Sequence, residues 1–301
     1  MKLTILGSSA STPKINKYTT SQLLKIKNHH ILIDCGEGIQ MQLRKLKINF
    51  LKINHIFISH LHGDHYFGLI GLISTFRLLG RTNDLNIYAP KGLQEIINMQ
   101  LKLSSSWLNY KILFNNLESK SQETIVKNLD FSVKTIPLRH RIYTNGFLFE
   151  EIYKEKNIIK SKIEEYKLNI DDIKGIKEGN DFVDRDGRKI SNSIFTKQPR
   201  RSKKYAFCSD TAYEPKIVQS ISLVDCLYHE STFLNSHKDL AKKTKHSTAS
   251  DASKIANAAH VGRLILGHFS NRYRNLEEFL IEAKTHFENV ELAIEGTEFD
   301  I

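Results

Sequence analysis

The chain has 301 residues, 40% of them hydrophobic and 26% charged, enough apolar material for a packed core and too much for a disordered protein. Its formal charge of +11 attracts polyanions, nucleic acid first among them. The longest apolar run, Tyr66 to Phe76, is far too short to cross a bilayer, and "MKLTILG" lacks an extended secretory core, so the expectation is a cytoplasmic protein with no membrane partner.

Strand-like runs that stop abruptly in polar or glycine-containing turns come first, at "KLTILG", "HILIDCG", "HIFISH" and "NIYAP". A helical pattern, Phe67 to Leu79, lies between the last two. Beyond "FSVKTIPLRH" the character changes. Residues 151–204 read as an insertion with fifteen Lys and Arg against ten Asp and Glu and few long apolar runs. Within it Ile159, Ile163 and Tyr166 fall at i, i+4 and i+7, which predicts a short amphipathic helix. "DRDGRKI" then reads as a turn and "KQPRRSKK" as a basic loop. Strands resume at "KYAFCSD", "VDCLYHE" and "RLILGH", with a helix predicted over Ala249 to Ala259. Strands interleaved with helices predict a layered α/β architecture, a single domain over residues 1–301 that carries the insertion. Cys35, Cys208 and Cys226 are odd in number and widely spaced with no C-x-x-C, which argues against a disulfide framework or thiolate zinc site and favours buried thiols.

Polar residues gather at the strand ends. "SHLHGDHYFG" puts His60, His62, Asp64 and His65 just after one strand. His140 ends a second, Asp210 a third and His268 a fourth. Strand ends of an α/β protein converge on one crevice, so ligands distant in sequence meet there. Buried together without a partner, such side chains cost several kcal/mol. Neutral imidazoles and carboxylates suit zinc, and also manganese or iron. Seven ligands exceed the needs of one tetrahedral ion and suit two ions about 3.5–4 Å apart, with Asp210 as the candidate bridge. Taken alone, His140 or His268 would be ordinary core histidines; their strand-end position makes them candidate ligands.

H-x-H-x-D-H followed by separate His, Asp and His resembles the metallo-β-lactamase superfamily, which implies a four-layer αββα sandwich with two metal ions on one edge. "YHESTF" and "KHSTASDA" are similar to two motifs of the ribonuclease Z family, endonucleases that trim tRNA precursors at the 3′ side. "IDCGEGIQMQLRK", "FISHLHGDHYFGLIGLI", "FCSDT" and "LILGHFSNRY" resemble it too, so the likeness runs from about Leu3 to Tyr273 in the expected order. It implies two zinc ions per subunit. His60, His62, His140 and Asp210 would hold one, and Asp64, His65, Asp210 and His268 the other. It further implies that Asp64 accepts a proton, that Glu230 and His246 form a supporting catalytic pair, that the 151–204 insertion is a tRNA-gripping arm, and that the protein is a homodimer acting on precursor tRNA. Two stretches depart from the family pattern. "PKINKY" keeps Pro13 and Lys17 but lacks the Arg-Asn pair associated with CCA ends, and "LNIDDIKGI" stands where many arms have Gly-Pro.

These residues together describe a phosphodiesterase. Water between two metal ions ionises near neutral pH, Asp64 accepts its proton, and His246, oriented by Glu230, protonates the leaving 3′ oxygen. The products would be a tRNA 3′-hydroxyl and a trailer 5′-phosphate. The "HST" run also reads as a helix N-cap, and the two roles are compatible. Competing readings are a phosphodiesterase for small or cyclic substrates, a thioesterase of the glyoxalase II kind, and a non-catalytic tRNA-binding protein.

Overall fold

The computed structural model describes residues 1–153, 156–197 and 201–301. Its strands, in chain order, open with β1 (Lys2–Gly7), β2 (Ser21–Ile26), β3 (His29–Ile33), β4 (Ile53–Phe57), β5 (Leu85–Pro90) and β6 (Ile112–Leu117). Then come β7 (Thr124–Lys127), β8 (Phe131–Pro137) and β9 (Asn145–Glu151). The insertion carries β10 (Asn157–Ile158), β11 (Phe182–Val183), β12 (Lys189–Ile190) and β13 (Thr196–Lys197). The last five are β14 (Lys204–Cys208), β15 (Cys226–Glu230), β16 (Leu264–Gly267), β17 (Val290–Leu292) and β18 (Glu298–Asp300).

Two seven-stranded sheets result, in the orders β18-β1-β2-β3-β4-β5-β6 and β17-β16-β15-β14-β9-β8-β7. Each is antiparallel on one side and parallel on the other: β3 to β6 run parallel in the first, β14 to β17 in the second. Alternation along the strands explains why the sheets stack. Leu24, Phe57, Phe147, Phe149, Phe207 and Tyr228 point between them into one shared core. Their neighbours Leu23 and Ile56 point outward under the helices Ile39–Lys45, Leu69–Leu78 and Leu93–Leu103. On the other side Leu148, Ala206 and Leu227 meet the helices Ala249–Ala258 and Glu277–Lys284. The layers are therefore αββα. Cys35, Cys208 and Cys226 are all buried and unpaired.

The insertion folds around a small core of its own, Leu168, Ile176 and Phe195, with Ile163 and Tyr166 packed against it. The amphipathic pattern forms the helix Lys160–Glu165, started by Ile159. Asn169 caps the helix Ile170–Glu178 in a reciprocal capping box with Asp172. "DRDGRKI" makes the tight turn of the β11–β12 hairpin, closed by Asp184 accepting from the backbone N–H of Asp186 and of Arg188. Part of "KQPRRSKK", residues 198–200, lies outside the described residues. Among the described residues no helix is long and apolar enough to cross a membrane.

The parallel halves aim the C-terminal ends of β3, β4, β14, β15 and β16 at one edge, where the sheets are pinned together. Ser59, after β4, accepts the Asn145 N–H of β9 on its carbonyl at 3.0 Å, and its hydroxyl lies 3.1 Å from that of Ser209, after β14. At this edge Asp34 (φ 56°) and His268 (φ 59°) adopt the left-handed conformation. For non-glycine residues it costs on the order of 1 kcal/mol or more, and it persists where surrounding contacts over-determine it. Gly267, just before His268, lies against the Tyr228 ring: an added Cβ would come within 2.3 Å of the phenol oxygen.

Candidate metal centre

Two groups of donor atoms meet at this edge. In the first, His62 Nδ1 lies 3.0 Å from His60 Nε2 and 3.3 Å from His140 Nε2. Asp210 Oδ2 closes the group, 3.6 Å from His60 Nε2 and 3.9 Å from His140 Nε2. In the second, Asp64 Oδ2 lies 3.4 Å from both His65 Nε2 and His268 Nε2. The other Asp210 oxygen, Oδ1, faces the same two nitrogens at 3.4 and 3.2 Å. Asp210 thus stands between the groups with one oxygen toward each. All seven residues singled out by strand-end position come together.

The outward nitrogens are tied down. His65 Nδ1 meets Asp34 Oδ2 at 2.7 Å, His140 Nδ1 donates to the Lys245 carbonyl at 2.8 Å, and His268 Nδ1 lies 2.8 Å from the Thr232 hydroxyl. His60 Nδ1 is 3.0 Å from Ser59 Oγ. A histidine that donates from Nδ1 keeps an unprotonated Nε2, the form that binds a metal. Burial points the same way. It pushes the imidazoles of His60, His62 and His140 below their ordinary range, His140 to about 4, and so keeps them neutral.

The donor set fits metal cations on the structure's own terms. Three imidazole nitrogens facing one another cannot all find protons to share, and His65 Nε2 is buried with no hydrogen-bond partner among the described residues. Burial disfavours a charge on His65, yet Asp210, Asp64 and Asp34 surround it so closely that its imidazole is held well above the usual range. The place demands positive charge, which a cation would supply in the proton's stead. Asp210, although buried, is held well below the usual carboxylate range by His268, His65 and His60.

Beside this centre lies a second constellation. Glu230, at the end of β15, is fully buried. Its Oε1 accepts from His246 Nδ1 at 2.8 Å and from the Thr211 N–H at 3.0 Å. Its Oε2 accepts from the Thr232 N–H at 2.9 Å and the Thr232 hydroxyl at 2.8 Å. Burial lowers the His246 imidazole, but the Glu230 carboxylate outweighs it and raises the ring to about 9. Among the described residues His246 Nε2 has no hydrogen-bond partner. In the same "HST" run Thr248 caps the helix Ala249–Ala258 in a capping box with Asp251, and Ser247 donates to the Thr211 carbonyl at 2.7 Å. The cap and the buried pair coexist.

Comparison with known proteins gives this arrangement a family. The chain is 46% identical over 295 residues to a ribonuclease Z of Bacteroides thetaiotaomicron, a match that spans 98% of this chain and 93% of that one. It is 46% identical over 299 residues to a ribonuclease Z of Cytophaga hutchinsonii, spanning 99% and 95%. The chain belongs to the ribonuclease Z family. Its fold is similar to human tRNase Z, short form, with a TM-score of 0.73, 25% identity, and 100% and 99% of the two chains covered. It is similar also to the metallo-β-lactamase fold protein YhfI of Bacillus subtilis, with a TM-score of 0.70, 18% identity, and 99% and 98% covered. The chain falls as well within the family described as "Anti-Pycsar protein Apyc1", whose model matches residues 1–288.

Against that family background the αββα sandwich is the expected metallo-β-lactamase fold, and the "PKINKY" loop can be located. It lies next to the centre: the Ser11 N–H donates to Asp64 Oδ2 at 2.8 Å, and Lys14 and Lys17 are engaged by the Asn271 carbonyl and by Glu295. Sequence reasoning missed Asp34, Ser59 and Thr232, whose side chains orient predicted residues, and Thr211, whose backbone N–H holds Glu230. Asp34 carried one signal, a carboxylate directly after the apolar run "ILI". Arg272 and Tyr273, just after His268, are held by contacts within the fold. Arg272 lies over the Phe233 ring, and the Tyr273 hydroxyl accepts the Leu234 N–H and meets His237.

Proposed function

We propose that the chain is a zinc-dependent endoribonuclease that removes the 3′ trailer from precursor tRNA by hydrolysis. One observation carries the reading: Asp210 directs one oxygen to each of two donor groups, while the Glu230–His246 pair stands beside them. His60, His62, His140 and Asp210 would hold one zinc ion, and Asp64, His65, Asp210 and His268 the second. Bound there, the two ions supply Lewis acidity, neutralising the phosphodiester and making water acidic near neutral pH.

The protein's own groups then have distinct tasks. Asp64, whose Oδ2 is steadied by the Ser11 N–H, orients the attacking water and accepts its proton. His246, its Nδ1 held by Glu230, presents Nε2 to the departing 3′ oxygen and gives it a proton. The phosphorus–oxygen bond to the tRNA ribose breaks, which leaves a 3′-hydroxyl on the tRNA and a 5′-phosphate on the trailer. Proton delivery of this kind contributes about 10²–10⁴-fold in rate.

The 151–204 insertion is the tRNA-gripping arm, a folded basic unit that a small phosphodiester would give nothing to hold. The protein acts as a cytoplasmic homodimer. The exposed apolar side chains Met41, Phe67, Leu78 and Trp107, on or beside the helices outside the first sheet, support an interface there. The test is incubation of end-labelled precursor tRNA with and without chelator, followed by mapping of both new ends. Chelator-sensitive cleavage leaving the stated ends supports the reading. A protein that binds tRNA equally with and without metal and never cuts it would overturn it.

A further inference from the structure

A groove of about 430 Å³ leads away from His246, with Ala212 and Ala241 among its lining residues. Arg139, Lys238, Lys242 and Lys254 surround it, against one carboxylate, Asp251. Asp251 is engaged at the helix cap, accepting the Thr248 N–H at 3.2 Å. The three lysines and the Arg139 guanidinium have no ion-pair partner among the described residues. Lys238 and Lys242 are one helical turn apart on Lys238–Thr244, and Lys254 projects from Ala249–Ala258. Tyr213, 41% exposed, stands at the wall. Four unneutralised cations beside an accessible aromatic ring are suited to a phosphate backbone with a base to stack.

We infer that this groove is a subsite for the nucleotides immediately upstream of the cleaved bond, whose phosphates lie on Lys238, Lys242, Lys254 and Arg139 and whose base packs on Tyr213. The inference rests on the proposed RNA cleavage, and strand polarity follows from it. His246 lines the groove, whereas none of the seven candidate metal ligands does. A phosphate at the centre with its leaving oxygen at His246 sends the nucleotide that keeps that oxygen into the groove. The trailer side runs toward the loop at Ser11, which closes over Asp64. The volume falls in the range of small-ligand sites and has room for a nucleotide or two.

The test uses Lys242→Ala and Lys254→Ala with precursor tRNA, and with the same RNA carrying a neutral methylphosphonate at the phosphate just 5′ of the cleaved linkage. Each lysine removed lowers kcat/KM on normal RNA by roughly tenfold, the scale of one charge-assisted hydrogen bond, and flattens the salt dependence by about one unit of slope. Arginine at the same position restores most of the loss. On the methylphosphonate RNA the parent enzyme is slowed, and at least one alanine variant is slowed no further. The subsite is overturned if both variants cleave normal RNA like the parent, or if neither loss shrinks on the neutral linkage. If the parent enzyme itself fails to cut precursor tRNA, the RNA-processing reading falls and the subsite with it.

Discussion

Glu230 and His246 meet at 2.8 Å in a buried setting, and the same carboxylate reaches the metal centre through Thr232, whose hydroxyl lies 2.8 Å from both Glu230 Oε2 and His268 Nδ1. The proposed proton donor and the proposed metal ligand are thus oriented by one anion. Removing Glu230 would disturb both, whereas removing His246 would disturb one.

His246→Ala should therefore separate chemistry from metal binding. Turnover of precursor tRNA falls by about 10²–10⁴-fold, while metal content measured by elemental analysis matches the parent protein. Asp64→Ala loses nearly all cleavage and metal from the second group. A His246→Ala protein purified without its metals would show that the ring serves the centre rather than the leaving group.

Asp34 should behave as a residue that acts through His65. Its Oδ2 meets His65 Nδ1, and its oxygens also accept the Ser59 N–H at 2.8 Å and the Ser59 hydroxyl at 2.9 Å. Asp34→Asn weakens that anchor, so metal affinity falls by about 10–100-fold, measured by competition with a chromophoric chelator. Excess metal restores much of the activity. An unchanged affinity would leave Asp34 a purely structural role.

Much of this site was legible because chemistry sits where apolar alternation stops. His60, Asp210 and His268 each follow a run that alternates between the shared core and an outer face, and one sheet edge gathers such ends. The orienting partners were not legible in the same way. Asp34 finds His65 across 31 positions and Thr232 finds His268 across 36, pairings that no local period encodes. The edge strands failed for a related reason: β18 is three residues long and exists because it pairs with β1, Leu3 opposite Phe299. In the insertion the helix around Ile163 showed its periodicity, but Phe195, which completes the small core, comes from a later segment.

That small core shapes how the arm should be tested. Cutting out residues 158–175 alone would strip Leu168 from Ile176 and Phe195 and leave an apolar remnant exposed. β10 and β13 pair antiparallel, Asn157 opposite Lys197, so the two ends of the unit are adjacent and a short linker can replace everything between them. The resulting protein should lose at least about tenfold in kcat/KM on precursor tRNA, from lost phosphate contacts, while hydrolysis of bis(p-nitrophenyl) phosphate is retained. Equal losses on both substrates would point to a damaged centre and away from a substrate-gripping arm.

The last prediction concerns stability away from the centre. His55, on β4, packs on Phe131 with ring centroids 5.6 Å apart and on Tyr88 at 6.2 Å, and its Nδ1 is buried without a hydrogen-bond partner among the described residues. Burial first, and His29 second, push its imidazole down from 6.5 to about 4. Below the unfolded value the unfolded chain takes up a proton that the folded chain refuses, so acid favours unfolding. The penalty begins as pH falls through 6.5, grows until about 4, and is constant below that. At its largest it is on the order of 3 kcal/mol. Urea melts of the parent and of His55→Gln, taken between pH 7 and 5, should show the parent losing stability more steeply. Parallel curves over that interval would mean that His55 accepts its proton in the folded protein as readily as in the unfolded one.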